Sequence, residues 1–230
     1  MTKPLTMIGF DADDTLWHNE HYFVLTQDHF ADLLREHTEP DRLMERLLVA
    51  EQRNIPHYGF GIKGFTLSMI ETAIDVTNGK VPASVIAKIL DAGREMLSHP
   101  VDLLPHAQET LAALQGRYTL VLITKGDLLD QERKLALSGL REMFNGIEIV
   151  SDKTPATYRR IFSQFGDGAE QGMMVGNSMK SDVVPMVDAG GWGIHVPHGQ
   201  TWALEHADAP HHAPRFRQIG DLSELEQILT

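Results

Sequence analysis

The order of apolar and helical segments predicts an α/β chain: a doubly wound parallel-sheet core with an α-helical domain inserted near its start. Three observations predict it. A short apolar stretch near the N-terminus stops at a burst of acid, strand and helix patterns alternate from Pro105 onward, and only helical periodicity is found between His18 and His99. The core is therefore expected to comprise residues 1–17 and 100–230, and the insertion residues 18–99.

Leu5 to Phe10 is short and almost wholly apolar, as a buried strand requires. In the insertion, Phe23, Phe30, Leu33 and Leu34 recur at helical spacing, as do Leu43, Met44, Leu47 and Leu48 ahead of Pro56. Phe65 to Val76 and Val85 to Leu97 give two more apolar stripes, separated by Asn78-Gly79 and Pro82. About four helices and no strand are expected there. The core then resumes with a helix from His106 to Leu114 and a strand at Thr119 to Ile123. A helix from Leu128 to Leu137, a strand at Ile147 to Val150 and a helix from Pro155 to Phe165 follow. Met173 to Val175 reads as a strand, Val183 to Val187 as a helix, and Trp192 to Val196 as a strand. Residues 207–214 read as a loop, and the tail ends with Phe216 to Ile219 and a helix begun by Asp221. Right-handed crossovers would bring the C-terminal strand ends to one edge, where such sheets hold ligands.

Composition narrows the function. The 230 residues suffice for one large domain or a core plus a smaller one. A formal net charge of −12 disfavours nucleic acid and anionic membranes as partners. The absence of cysteine excludes disulfides, thiol nucleophiles and cysteine-ligated zinc. No leader is read at the N-terminus and no apolar run is long enough for a membrane span, so a cytoplasmic location is expected. Oligomeric state is not legible.

The decisive segment is Asp11-Ala12-Asp13-Asp14-Thr15, three carboxylates directly after a strand. Like charges crowded at a sheet edge favour a bound cation, and oxygen ligands suit a hard one such as Mg²⁺. The plain alternative is a solvated acidic turn capping the next helix. Three further segments stand at strand ends. In Thr124-Lys125-Gly126, the Thr124 hydroxyl and the following N–H groups are suited to phosphate oxygens, or simply to a turn. Lys153, ahead of Pro155, can neutralise a phosphoryl group, although most lysines are solvated. Gly176 lets the chain turn, and Asn177 and Asp182 offer oxygen ligands, or else cap a helix.

This ordered set resembles the haloacid dehalogenase-like hydrolase superfamily. Asp11 to Trp17 is similar to its first motif, Asp-x-Asp-x-Thr; Ile123-Thr124 resembles the second, Lys153 the third, and Gly176 to Asp182 the fourth. The resemblance implies a Rossmann-like core with a helical cap between the first and second motifs. It implies a phosphatase rather than a dehalogenase, because Asp13 is present. The expected mechanism has Asp11 as nucleophile, Asp13 as general acid and base, and Lys153 as charge partner. Thr124 and the N–H groups of Lys125 and Gly126 would hold phosphate, and Asp11, the Asp13 carbonyl, Asn177 and Asp182 would serve Mg²⁺. The fourth motif usually opens Gly-Asp, whereas this chain has Gly176-Asn177, which leaves open whether Asn177 or Asp182 meets the ion. The substrate would be a small phosphorylated metabolite. A phosphotransferase or mutase, and a catalytically silent binding protein on the same fold, are the competing readings.

Gly59 to Gly64 matches G-x-G-x-x-G by letter, but no strand precedes it and no acid follows at the required distance, so it reads as a loop between helices. His57, Tyr58 and Lys63 are its polar groups nearest in sequence, and Lys63 is the one suited to a second anionic group of a substrate. His195 and His198 form too sparse a pair for a metal site.

Overall fold

The computed structural model describes residues 4–229. Met1 to Lys3 and Thr230, assigned to the core by sequence, lie outside the described residues. The chain forms two compact units: one holds the segment ending at Glu20, residues 101–125 and the chain from Gln131 onward, and the other holds residues 21–100 with 126–130. Among the described residues no helix is long and apolar enough to cross a membrane.

The first unit is built on a six-stranded, wholly parallel sheet of order β3-β2-β1-β4-β5-β6. The strands are β1 (Met7–Phe10), β2 (Thr119–Lys125), β3 (Gly146–Val150), β4 (Gly172–Gly176), β5 (Trp192–His195) and β6 (Phe216–Gln218). β1 to β5 each lie within two residues of their expected positions, and Phe216 to Ile219, given no element type by the sequence, supplies β6. β2 runs two residues further than expected, so Thr124 belongs to the strand itself. Because β1 is central and the chain returns across it from β3 to β4, the order reverses beside β1. In sheets of this kind such a reversal is where ligand crevices form, at the C-terminal strand ends.

Side-chain alternation covers both sheet faces. Ile8 and Phe10 share one apolar cluster with Leu111 of α5 (Ala107–Leu114) and Leu135 of α6 (Leu128–Ser138). Met7 belongs to the opposite cluster, with Tyr158, Ile161 and Phe162 of α7 (Pro155–Phe165) and Met186 of α8 (Val184–Asp188). Gly9 faces α7 as well, and a Cβ there would stand 2.8 Å from Ile123 and 3.2 Å from the Phe162 ring. The alternation continued one step places Asp11 on this second face. Asp221 caps the final turns, and α9 (Leu225–Ile228) closes the chain.

The second unit comprises α1 (Glu20–Leu34), α2 (Pro40–Tyr58), α3 (Ile62–Val76) and α4 (Ala83–Met96) around Phe30, Leu34, Leu47, Phe65, Met69 and Ile89. Two details differ from the sequence reading. α2 continues through Pro56 and stops where the Gly59 N–H bonds the Ile55 carbonyl at 2.9 Å. A proline so near the end disturbs only the last turn. The Gly59 to Gly64 stretch is not wholly a loop, because α3 already starts at Ile62. Burial of Ile62, Phe65 and Met69 overrides the poor helix propensity of Gly64.

Candidate active site

Register sets the site. Phe10 is level with Leu122 on one side and Val175 on the other, so the chain leaves β1 at Asp11 beside Ile123 and Gly176, one residue short of Thr124. The Asp11 N–H extends the pairing by bonding Val175 O at 2.9 Å. The loop then folds on itself, with the Ala12 carbonyl accepting from the N–H groups of Thr15 (3.2 Å) and Leu16 (2.8 Å). Asp14 adopts φ 57°, a left-handed conformation uncommon outside glycine and asparagine. Its carboxylate accepts from the backbone N–H groups of Asn19 and Glu20, each at 2.9 Å, which holds the exit from the loop.

At the centre is a buried trio. Lys153 Nζ donates to Asp11 Oδ1 at 2.5 Å and to Asp182 Oδ1 at 2.6 Å. Lys153 is delivered by the turn before α7, whose first turn is capped by Thr154 and begun by Pro155. Asp182 sits in a π-helical turn, Met179–Val183, and its Oδ2 accepts from the Ser178 N–H at 2.9 Å. A Cβ at Gly176 would overlap the Asp182 carboxylate, so this approach requires glycine. Burial, reinforced by the Asp182 charge, pushes the Asp11 carboxyl up to about 7 against the opposing pull of Lys153. Burial works against the Lys153 charge, but the carboxylates of Asp11 and Asp182 outweigh it and keep the ammonium charged.

Thr15 ties the first loop to the fourth. Its hydroxyl accepts from the Asn177 N–H at 3.0 Å and lies 3.3 Å from Asp11 Oδ2 and 3.4 Å from Asn177 Oδ1. One proton serves only one of those two oxygens, so both converge on a single hydroxyl. Among the described residues no hydrogen bond reaches the Asp13 carbonyl. Asp11, the Asp13 carbonyl and Asn177 thus offer oxygens of the kind a hard cation takes. Both Asp182 oxygens are engaged, by Lys153 and Ser178. Among the described residues no group of three or more histidine or carboxylate side chains forms a ready metal cage. A cation here would therefore draw on main-chain and amide oxygens as well.

The remaining expected residues fall differently. Thr124 is buried at the end of β2, and no hydrogen bond engages its hydroxyl among the described residues. The Lys125 amine turns to Glu205 (2.5 Å) and Ser181 Oγ (2.7 Å) rather than towards Asp11. Gly126 belongs to the segment that groups with the helical unit. Lys63 pairs with Asp127 at 3.0 Å in that same unit. His195 bridges Asn177 O and Gln218, a structural arrangement.

Sequence reasoning missed several groups. Asp13 accepts from Trp17 Nε1 (2.7 Å), Gln131 Nε2 (2.8 Å) and Lys134 Nζ (2.6 Å). Burial disfavours its charge, but the Lys134 ammonium and the three donors prevail and hold the carboxyl below its usual range. Glu205 accepts from Ser178 and Ser181 hydroxyls, each at 2.5 Å, as well as from Lys125. Burial opposes its charge too, and Lys125 with these donors keeps its carboxyl low. The only signal for Gln131 and Lys134 is a spacing of three on a helix, which a solvated face shows equally.

The family model of haloacid dehalogenase-like hydrolases matches residues 5–190. A haloacid dehalogenase-like family hydrolase from Xanthomonas campestris is 40% identical, covers 98% of this chain and 91% of its own, and superposes with a TM-score of 0.87. A putative hydrolase of the family from Bacillus subtilis, YfnB, bound to magnesium, is 17% identical over 99% of this chain and 100% of its own, with a TM-score of 0.69. A 2-haloacid dehalogenase from Pseudomonas syringae pv. Tomato is 21% identical over 98% of each chain, with a TM-score of 0.64. No curated protein sequence matches the chain. The Asp11 to Trp17 loop, the strand order and the family match over four fifths of the length agree: this chain belongs to the haloacid dehalogenase-like hydrolases.

Proposed function

We propose that the protein is a Mg²⁺-dependent phosphatase that hydrolyses a small phosphorylated metabolite through an aspartyl-phosphate at Asp11. The observation that carries this reading is a buried Asp11 carboxylate 2.5 Å from the Lys153 ammonium, with a second carboxylate two residues on at Asp13. Dehalogenation needs no such second carboxylate, whereas expulsion of an alkoxide requires a proton donor.

Asp11 attacks phosphorus in line, the bond to the ester oxygen breaks, and the leaving oxygen takes a proton from Asp13, which enters this step protonated even though Lys134 favours its charged form at rest. Asp13 then removes a proton from water as the water attacks phosphorus and releases Asp11. Lys153 offsets the repulsion between the Asp11 carboxylate and the phosphate. Thr124 and the N–H groups of Lys125 and Gly126 hold the non-bridging oxygens. Asp11, the Asp13 carbonyl and Asn177 would hold Mg²⁺, which would supply charge neutralisation to the phosphoryl group. Asp182 acts through Lys153. Residues 18–99 serve as the cap that selects substrate.

The test is turnover of an aryl phosphate with Mg²⁺ by the wild-type protein and by Asp11→Asn. The proposal expects wild-type hydrolysis and none above background in the variant. Substantial hydrolysis by Asp11→Asn removes Asp11 as nucleophile.

A further inference from the structure

The polar contacts of Asp13 are not those of a loosely held carboxylate. Its Oδ1 takes two donors, Trp17 Nε1 at 2.7 Å and Lys134 Nζ at 2.6 Å, while its Oδ2 takes one, Gln131 Nε2 at 2.8 Å. A carboxylate oxygen has two lone-pair directions, so Oδ1 is saturated and Oδ2 keeps one free.

Gln131 is committed in the same way. Its Nε2 also donates to Lys125 O at 3.1 Å. Both neighbours of that nitrogen are acceptors, so the amide cannot be turned over without setting oxygen against oxygen. Its Oε1 is buried without a hydrogen-bond partner. A side chain selected only for packing would shed that unsatisfied oxygen. Gln131 thereby links Asp13 to the main chain of the Thr124-Lys125 segment. Lys134, itself buried, spans from Asp13 to Asn19 Oδ1 at 3.1 Å, so its ammonium is fixed at two points. Gln131 and Lys134 lie one turn apart on α6 and reach Asp13 across more than a hundred positions of sequence.

From this geometry we infer that Gln131 and Lys134 are positioning residues that aim the carboxylate of Asp13, leaving Oδ2 as the oxygen that exchanges a proton with the leaving group. The inference rests on the phosphatase reading above. It makes the contribution of α6 depend on how much the leaving group needs a proton. A nitrophenolate leaves without one, and a simple alkoxide does not.

The experiment compares kcat/KM for 4-nitrophenyl phosphate and for a simple alkyl phosphate, with Mg²⁺, in wild type, Lys134→Met, Lys134→Arg and Gln131→Leu. Thermal unfolding confirms that each variant is folded. For Gln131→Leu the expected result is a loss of about 10–100-fold on the alkyl ester, part of the usual general-acid contribution, with a loss of about threefold or less on the nitrophenyl ester. Lys134→Met should show the same selectivity even though loss of the ammonium favours protonation of Asp13, because the carboxyl is no longer held in place. Lys134→Arg should recover part of the alkyl activity, since it keeps the charged donor. Equal losses on both esters would mark a merely structural role and overturn the inference, as would unchanged activity on both. If the wild type hydrolyses neither ester, the phosphatase reading fails and this inference falls with it. If the wild type is active and only the selectivity is absent, the phosphatase reading stands and the positioning role alone is rejected.

Discussion

The two units differ in where the partners of their buried polar groups lie in the sequence. In the helical unit the buried hydroxyls of Thr66, Ser68, Thr72 and Thr77 each donate to the carbonyl four residues earlier, at 2.8–2.9 Å. Asn54 there bonds Ser68 and Glu71 across α2 and α3. Its ion pairs, such as Arg53–Glu71 and Arg94–Asp91, have at least one exposed partner and contribute little. In the α/β unit the buried charges at the strand ends have partners distant in sequence: Lys153 meets Asp11 across 142 positions and Asp182 across 29. Local satisfaction of a hydroxyl makes a helix packable. Charges desolvated around one another destabilise unless the arrangement is complete, and such sites are where chemistry is expected.

That contrast can be broken by substitution. The largest effect is expected at Lys153. Lys153→Met leaves Asp11 and Asp182 buried without a cation and should cost about 3–5 kcal/mol of stability. Denaturant unfolding of the metal-free protein at neutral pH measures it. The aryl phosphatase activity should fall by at least about a hundredfold, as when a transition-state charge partner is lost.

Asp11→Asn should act in the opposite direction on stability while abolishing turnover. The Asp11 carboxyl is raised to about 7 in the folded protein, from an ordinary value of 3.8. Between those values the folded state binds more protons than the unfolded one, so metal-free stability from this group falls as pH rises from about 4 through 7. The variant lacks this slope. Unfolding midpoints from pH 5 to 8 should therefore show Asp11→Asn gaining on the wild type as pH rises. A constant difference across that range would show that Asp11 is not the group under strain.

A smaller effect is expected at Glu205, whose carboxylate joins Lys125 to Ser178 and Ser181. Glu205→Gln keeps the shape but leaves the Lys125 ammonium without its counter-charge, and should cost about 1–3 kcal/mol in denaturant unfolding. The smallest is expected in the helical unit. Thr72→Val removes only a hydroxyl bonded within its own helix, so stability should change by less than about 1 kcal/mol. Aryl phosphatase activity should stay within about twofold. A loss there comparable to that at Glu205 would erase the distinction between the units.

The same contrast explains what is legible in the sequence. Strand and helix alternation places β1 to β5 within two residues, because a sheet covered on both faces demands continuous apolar runs such as Leu120 to Ile123. Asp11, Asp13, Lys153 and Asp182 stand out because each follows or neighbours a strand end. Residues that act from elsewhere do not. Gln131 and Lys134 lie on a helix that exposes Leu128, Leu129 and Leu137 while burying these two polar side chains, the reverse of the usual pattern, and Glu205 ends a 3-10 turn 80 positions from Lys125. Nothing local marks such residues, since their partners are set by the crossovers. Ile62 to Gly64 misleads for the converse reason: two nearby glycines suggest a loop, while packing of Ile62 and Phe65 makes a helix. The engagement of both Asp182 oxygens, by the Lys153 ammonium and the Ser178 N–H, is equally invisible in the sequence.

The central claim is that a phosphoryl group passes through the side chain of residue 11. Borohydride quenching during turnover of an aryl phosphate with Mg²⁺, followed by peptide mass spectrometry, tests it most directly. Reduction of an acyl phosphate converts that aspartate to homoserine. The account predicts conversion at Asp11 only when ester and Mg²⁺ are both present. Turnover with Asp11 unmodified, or with the reduced residue elsewhere, would contradict it.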